Sequence, residues 1–252
     1  MFEAFAATEK GPKDRVNEDS SHIDPEHGLF VVADGMGGQN AGNVASCMTV
    51  DAIASYIGRA HGTDEISWPF GVDADLGLAS NRLLTAVRVA NRRVWKESDE
   101  TVEYLGMGST VVALYVLADD ASLCSAGDSR AYALSDGHLH QLSQDDSWIR
   151  MALEQGLIEE GDAEKHPLRN VITSAIGAEQ KINPQVVEVT LEVGTTLLLC
   201  SDGLYKYVED ETILETAAGC AEDLQRAAQA LVDVALQNNA NDDVTVVLVR
   251  RT

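Results

Sequence analysis

The chain predicts an α+β fold in which antiparallel sheets are covered by helices. Three observations carry that reading. Short apolar runs such as Leu29 to Ala33 and Thr196 to Cys200 end in Asp-Gly or Ser-Asp-Gly, the signature of buried strands cut off by turns. Asp136-Gly137 lies between two strand-like segments and marks a hairpin. Helix-period segments are few and do not alternate with strands, as a doubly wound parallel sheet would require.

In chain order, Leu29–Gly35 reads as the first buried strand, followed by a glycine-dense turn, Met36 to Gly42. Val44, Ala45, Met48, Ala52, Ile53, Tyr56 and Ile57 recur at helical spacing. Residues 58–79 read as a loop. Ser80 stands as the N-cap of a second helix carrying Leu83, Leu84, Val87, Ala90 and Val94 on one face and arginines on the other. Ser109–Leu117 is rich in β-branched residues, and Ala131–Leu134 pairs with His138–Leu142 across the hairpin. Residues 143–180 turn acidic and polar, with brief helical patterning at Trp148, Ile149, Leu153 and Leu157. Strands return at Val186–Leu191 and Thr195–Cys200. A helix over Ala221–Leu236 and a strand at Val244–Val249 follow. With no repeat, low-complexity tract or linker, residues 1–252 read as one domain, with 143–180 an insertion on its surface.

Composition narrows the function. A formal net charge of -23 argues against nucleic acid and against an anionic membrane surface, both of which need a positive face. Cys47, Cys124, Cys200 and Cys220 are scattered, so neither a disulfide framework nor a zinc site is expected and a reducing, cytoplasmic setting fits. The first ten residues lack a signal-peptide core, and no apolar run approaches membrane-spanning length. His138 and His140 share a strand face and are expected on an exposed hairpin. His166 is expected to anchor the insertion.

The carboxylates point to chemistry. Asp34 and Asp202 sit at the mouths of buried strands, and Asp242-Asp243 immediately precedes a third apolar run. A carboxylate there is costly without a positive partner. No Lys or Arg lies inside these motifs, so a shared divalent cation is the economical solution. Oxygen-only ligands suit hard ions such as Mg²⁺ and Mn²⁺.

Seven segments in order extend the pattern: Arg15-Val16-Asn17-Glu18-Asp19, Val32 to Gly38, Gly106 to Thr110, Ala126 to Arg130, His166 to Asn170, Ser201 to Leu204 and Asp242 to Thr245. Together they resemble the PP2C-like (PPM) metal-dependent Ser/Thr protein phosphatases, in particular the compact bacterial branch. The resemblance implies a sandwich of two antiparallel β-sheets flanked by helices. At one edge it implies two Mn²⁺ or Mg²⁺ ions, with a weaker third. Asp34 would bridge the pair, Gly35 would offer its carbonyl, and Asp202 and Asp242 would complete it. Asp128 and Asp202 would hold the third ion. Glu18 and Asp19 would touch metal-held water, and Arg15 would grip the phosphoryl group. Two such ions ~3.5–4 Å apart activate a water for in-line attack, and no Cys or Ser nucleophile with a His partner is evident.

The implied activity is hydrolysis of phosphoserine and phosphothreonine in proteins, including an opposing Ser/Thr kinase, by a monomer. The competing readings are an inactive metal-binding adaptor and a phosphatase of small metabolites. The chain departs from the family at four places. Arg15 stands one residue too near the Glu18-Asp19 pair, leaving Asp14 at the expected position and Lys13 as another source of charge. Asp146 replaces a His, Met36 replaces the His of animal members, and Asp243 stands where Asn is usual. Residues 143–180 correspond to a flap beside the site, expected to govern the choice of protein substrate.

Overall fold

A computed structural model describes residues 1–12, 16–38, 41–60, 67–135, 137–163 and 165–252. The elements run β1 (Phe2–Glu9), β2 (Asp19–Asp24), β3 (Leu29–Met36), α1 (Ala41–Ala60), α2 (Leu78–Glu100), β4 (Gly108–Ser109), β5 (Val111–Leu117), β6 (Asp120–Ala126), β7 (Arg130–Ser135) and β8 (His138–Gln141). They continue with α3 (Trp148–Glu154), α4 (Glu160–Ala163), β9 (Gln185–Val189), β10 (Thr196–Cys200), α5 (Asp202–Tyr205), α6 (Asp210–Gly219), α7 (Leu224–Gln237) and β11 (Val244–Arg251).

Two antiparallel sheets form. One has the order β1-β11-β10-β7-β8; the other runs β2-β3-β5-β6-β9, with β4 paired to β3. The apolar runs are continuous because both faces of their strands are covered. Along β3, Leu29, Val31 and Ala33 pack with α1 and α2, while Phe30 and Val32 enter the layer between the sheets. Along β10, Leu198 and Cys200 face α7, and Leu197 and Leu199 face the other sheet. Val246 and Leu248 of β11 join the α7 side, Val247 and Val249 the middle. The result is four layers, helix–sheet–sheet–helix.

Several elements differ from the sequence expectation. α2 begins at Leu78, not after Ser80, and Gly77 is its N-cap. The carboxylate of Glu188, from β9, takes over the capping role: its Oε1 accepts from the Gly77 N–H (2.8 Å) and the Ser80 hydroxyl (2.8 Å). Arg82 on α2 is buried rather than solvated. Strands β1, β2 and β6 and helix α6 are additional to those read from the sequence. His138 and His140 lie on the exposed β8, their rings 5.8 Å apart; Asp136 of that hairpin lies outside the described residues. The insertion contains α3 and α4, and within it His166 stacks on Trp148 at 4.4 Å and 17°, a contact internal to the insertion. Among the described residues no helix is long and apolar enough to cross a membrane.

Candidate metal centre

Pairing brings the carboxylates to one end of the sandwich. Asp19, opening β2, lies directly across from Asp34 near the end of β3. Cys200 at the end of β10 pairs with Val246 near the start of β11, so Asp202 and Asp242 emerge together from the other sheet. Asp128 occupies the crossover from β6 to β7, where the chain passes between sheets.

The main chain beneath Asp34 is clamped. Its N–H donates to Thr110 Oγ1 (3.0 Å), and its carbonyl accepts from the Thr110 N–H (2.8 Å) and the Ser109 hydroxyl (3.1 Å). Thr110 Oγ1 also meets Ser129 Oγ at 2.6 Å. The Gly106–Thr110 segment therefore acts as a brace for Asp34. Gly35 and Gly42 touch backbone to backbone, and a Cβ built on Gly35 would lie 1.9 Å from the Gly42 carbonyl oxygen. A Cβ on Gly42 would lie 2.6 Å from Glu18 Oε1, so Glu18 is packed against the start of α1. At Gly127 the backbone adopts φ +98°, which excludes most side chains, and a Cβ there would meet Thr110 at 2.8 Å.

Electrostatics show how closely these groups share a field. Burial pushes the Asp34 carboxyl well above its usual range. The negative charges of Asp19, Asp202, Asp128 and Asp242 push it further, in that order. Asp19 is raised chiefly by burial, against a 2.7 Å hydrogen bond from the Ser201 hydroxyl that favours its charge. Asp202 is raised by burial, with Lys206 opposing. Among the described residues, Asp19 Oδ1 and Asp202 Oδ1 are buried without a hydrogen-bond partner. Orphaned carboxylate oxygens among mutually repelling acids are what a site for hard cations presents. Among the described residues, no three His, Cys, Asp or Glu side chains stand arranged to hold a metal ion. The donor chemistry fits Mg²⁺ or Mn²⁺.

One sequence expectation needs correction, and one departure gains a role. A lysine does reach the carboxylates: Lys206 Nζ lies 2.6 Å from Asp202 Oδ2 and 3.2 Å from Asp128 Oδ2. Burial works against its ammonium, but Asp202 and Asp128 outweigh that and hold it charged above the usual range. The signal was present as i,i+4 spacing from Asp202, just outside the motif. Asp243 is buried and its carboxylate is bonded to the backbone. Its Oδ1 accepts from the Gly11 N–H (2.9 Å) and its Oδ2 from the Glu18 N–H (2.8 Å), which staples the segment after β1 to the start of β11.

Asp146, where the sequence resemblance implied a His, is a tie. Its N–H donates to the Gly127 carbonyl (2.8 Å), and its carboxylate accepts from the Gly127 N–H (3.2 Å) and the Gln185 side-chain amide (2.8 Å). Beside it, Asp145 holds Arg130 through two bonds of 2.9 and 2.7 Å. Arg130 lies 3.6 Å above the Tyr205 ring, and the Tyr205 hydroxyl donates to the Asp128 carbonyl at 2.9 Å. Sequence reasoning missed this chain from the insertion to Asp128, because its members are distant in sequence. Arg15, Lys13 and Asp14 lie outside the described residues.

The family model described as Protein phosphatase 2C matches residues 9–243. The chain belongs to the protein phosphatase 2C family. Serine/threonine protein phosphatase PstP of Mycobacterium tuberculosis is 32% identical over 243 residues, which cover 96% of this chain and 44% of that protein. The chain thus spans less than half the length of this relative. The serine/threonine phosphatase Stp of Listeria monocytogenes is 31% identical over 251 residues, 97% of this chain and 94% of the relative. The crystal structure of the PstP catalytic domain in complex with two manganese ions superposes with a TM-score of 0.83 at 30% identity, covering 99% of this chain and 97% of that one. The protein phosphatase 2C sandwich therefore matches the two sheets and flanking helices described above.

Proposed function

We propose that this chain hydrolyses phosphoserine and phosphothreonine in proteins, using two Mn²⁺ or Mg²⁺ ions held by Asp34, Asp202, Asp242 and the Gly35 carbonyl. The observation that carries the reading is the gathering of Asp19, Asp34, Asp128, Asp202 and Asp242 into one mutually repelling cluster with orphaned oxygens. It occurs in a family one of whose members was crystallised with two manganese ions.

When bound, the ions would activate a water and neutralise charge on the phosphoryl oxygens. The chain's own residues do the rest. Ser109 and Thr110 fix the Asp34 backbone, and the Ser201 hydroxyl orients Asp19. Glu18 and Asp19 would order water held by the ions, and Arg15 would serve as the phosphate grip. A cysteine nucleophile is disfavoured in the core: burial pushes the Cys124 thiol up to about 12 and raises Cys200 as well, so neither forms thiolate readily. This agrees with direct attack by water rather than by a core thiol. The acidic surface suits basic protein partners, among them an opposing Ser/Thr kinase, and we read the domain as a cytoplasmic monomer.

The decisive experiment compares phosphate release from a phosphothreonine peptide and from an aryl phosphate, with Mn²⁺ and with chelator. Mn²⁺-dependent release from the peptide is expected. Activity on neither substrate would favour a metal-binding adaptor, and activity on the aryl phosphate alone would favour a small-molecule phosphatase.

A further inference from the structure

Asp128 and Asp202 converge on a single ammonium. α5 is a single turn that starts at Asp202, so the residue four positions on, Lys206, returns over the carboxylate that opens it. Nζ reaches Asp202 Oδ2 at 2.6 Å and Asp128 Oδ2 at 3.2 Å. The neighbouring residue of the same turn, Tyr205, binds the Asp128 carbonyl and is itself pinned beneath Arg130. Asp128 is therefore held at two atoms by α5. Lys206 is the more exposed partner, at 30% against 15% and 8% for the two aspartates, so it covers the corner from the solvent side. The other oxygen of Asp202, Oδ1, is left without a partner. The acidic site thus divides into an inner part, with Asp34, Asp242 and Asp202 Oδ1, and an outer corner that already holds a covalently attached positive charge.

We infer that Lys206 is a built-in cation standing between Asp128 and Asp202, where the sequence resemblance implies a third metal ion. The domain would then take two exchangeable divalent ions and supply the third positive charge itself. A lysine ammonium is a compact point charge able to donate to several acceptors at once, and it suits a corner bounded by two carboxylates. Lys206 is a positioning residue: it fixes Asp128 and one oxygen of Asp202 without entering the reaction. The inference rests on the two-ion reading of the inner site.

The test is the number of Mn²⁺ ions bound per chain, measured by equilibrium dialysis with elemental analysis. The parent and Lys206→Arg should saturate at two. Lys206→Met, which keeps the length and removes the charge, should take up a third, weakly held ion. A parent that binds three, or a Lys206→Met variant that folds and stays at two, overturns the inference. Should Lys206→Met not fold, the parent count still decides, together with acylation of lysines by an amine-reactive ester read by mass spectrometry. Lys206 should stay protected at saturating Mn²⁺ while the exposed Lys96 reacts. Mn²⁺-induced exposure of Lys206 would show that an ion displaces it. A parent that binds no Mn²⁺ would refute the two-ion reading as well, whereas an active parent with three ions refutes this inference alone.

Discussion

Replacing Asp19 by Asn should stabilise the metal-free protein in mildly alkaline solution far more than in acid. Asp19 is 8% exposed, and burial pushes its carboxyl from the ordinary 3.8 up to about 7. At about 1.4 kcal/mol per pH unit, the gap makes ionised Asp19 cost about 4 kcal/mol of folding stability. Because the folded-state value is the raised one, stability contributed by protonated Asp19 is complete below about 3.8. It drains as pH rises and is wholly lost above about 7. Asn does not titrate, and it can still accept from the Ser201 hydroxyl that bonds Asp19 Oδ2 at 2.7 Å. Any fixed cost of the substitution cancels when two pH values are compared. The stability of the variant relative to the parent should therefore improve by up to about 3 kcal/mol between about pH 5 and about pH 8. Asp34 and Asp202 bind protons in the same field and will take up part of that change. The assay is urea unfolding in chelator, followed by tryptophan fluorescence at both pH values. A difference independent of pH, or a variant that loses stability on going to alkaline solution, would refute the electrostatic account of this site. In saturating Mn²⁺ the advantage should shrink or reverse, since ions bind the ionised carboxylates.

Three further outcomes are expected. Asp34→Asn, Asp202→Asn and Asp242→Asn should each lower Mn²⁺-dependent phosphate release by about 100-fold or more while circular dichroism stays native, and a near-normal Asp34→Asn enzyme would contradict the ligand assignment. Arg130→Met strips Asp145 of its two-pronged partner and should cost about 2–4 kcal/mol in urea unfolding, with faster proteolysis within residues 147–172; a neutral result would show that this pair does not secure the insertion. Charge reversal at the exposed Glu159 and Glu160 should change rates on phosphoproteins in a salt-sensitive manner and leave an aryl phosphate unaffected, so equal losses on both substrates would assign the segment to the catalytic centre instead.

The parts of this molecule that could be read in advance are those where one physical demand acts alone. β3, β10 and β11 are apolar on both faces because each is sandwiched between layers. β2 was invisible because Asp-Ser-Ser-His-Ile-Asp is a sheet-edge strand with little apolar periodicity. Ser80 had the chemistry of a cap but lost that role to Glu188, more than a hundred residues away, which no local pattern announces. The same holds within the site. Asp34, Asp202 and Asp242 were marked by their strand ends. The fates of Asp243, Asp146 and Lys206 were settled by partners brought in by the fold: Gly11 and Glu18, Gly127, and Asp128.

The carboxylates come from both sheets. Asp19 and Asp34 belong to one and Asp202 and Asp242 to the other, with Asp128 on the strap between. Across the middle layer the two sheets meet mainly through side chains such as Phe30, Val112, Leu199 and Val247, which are greasy and directionless. Such a layer resists being pulled apart better than it resists being slid. Ions gripped jointly from both sides would act as a rivet against that sliding, with the Ser201–Asp19 bond as its weaker standing counterpart. Occupancy of the centre is then also a mechanical state of the whole sandwich: the cations that ready it for chemistry would lock the alignment of its two halves.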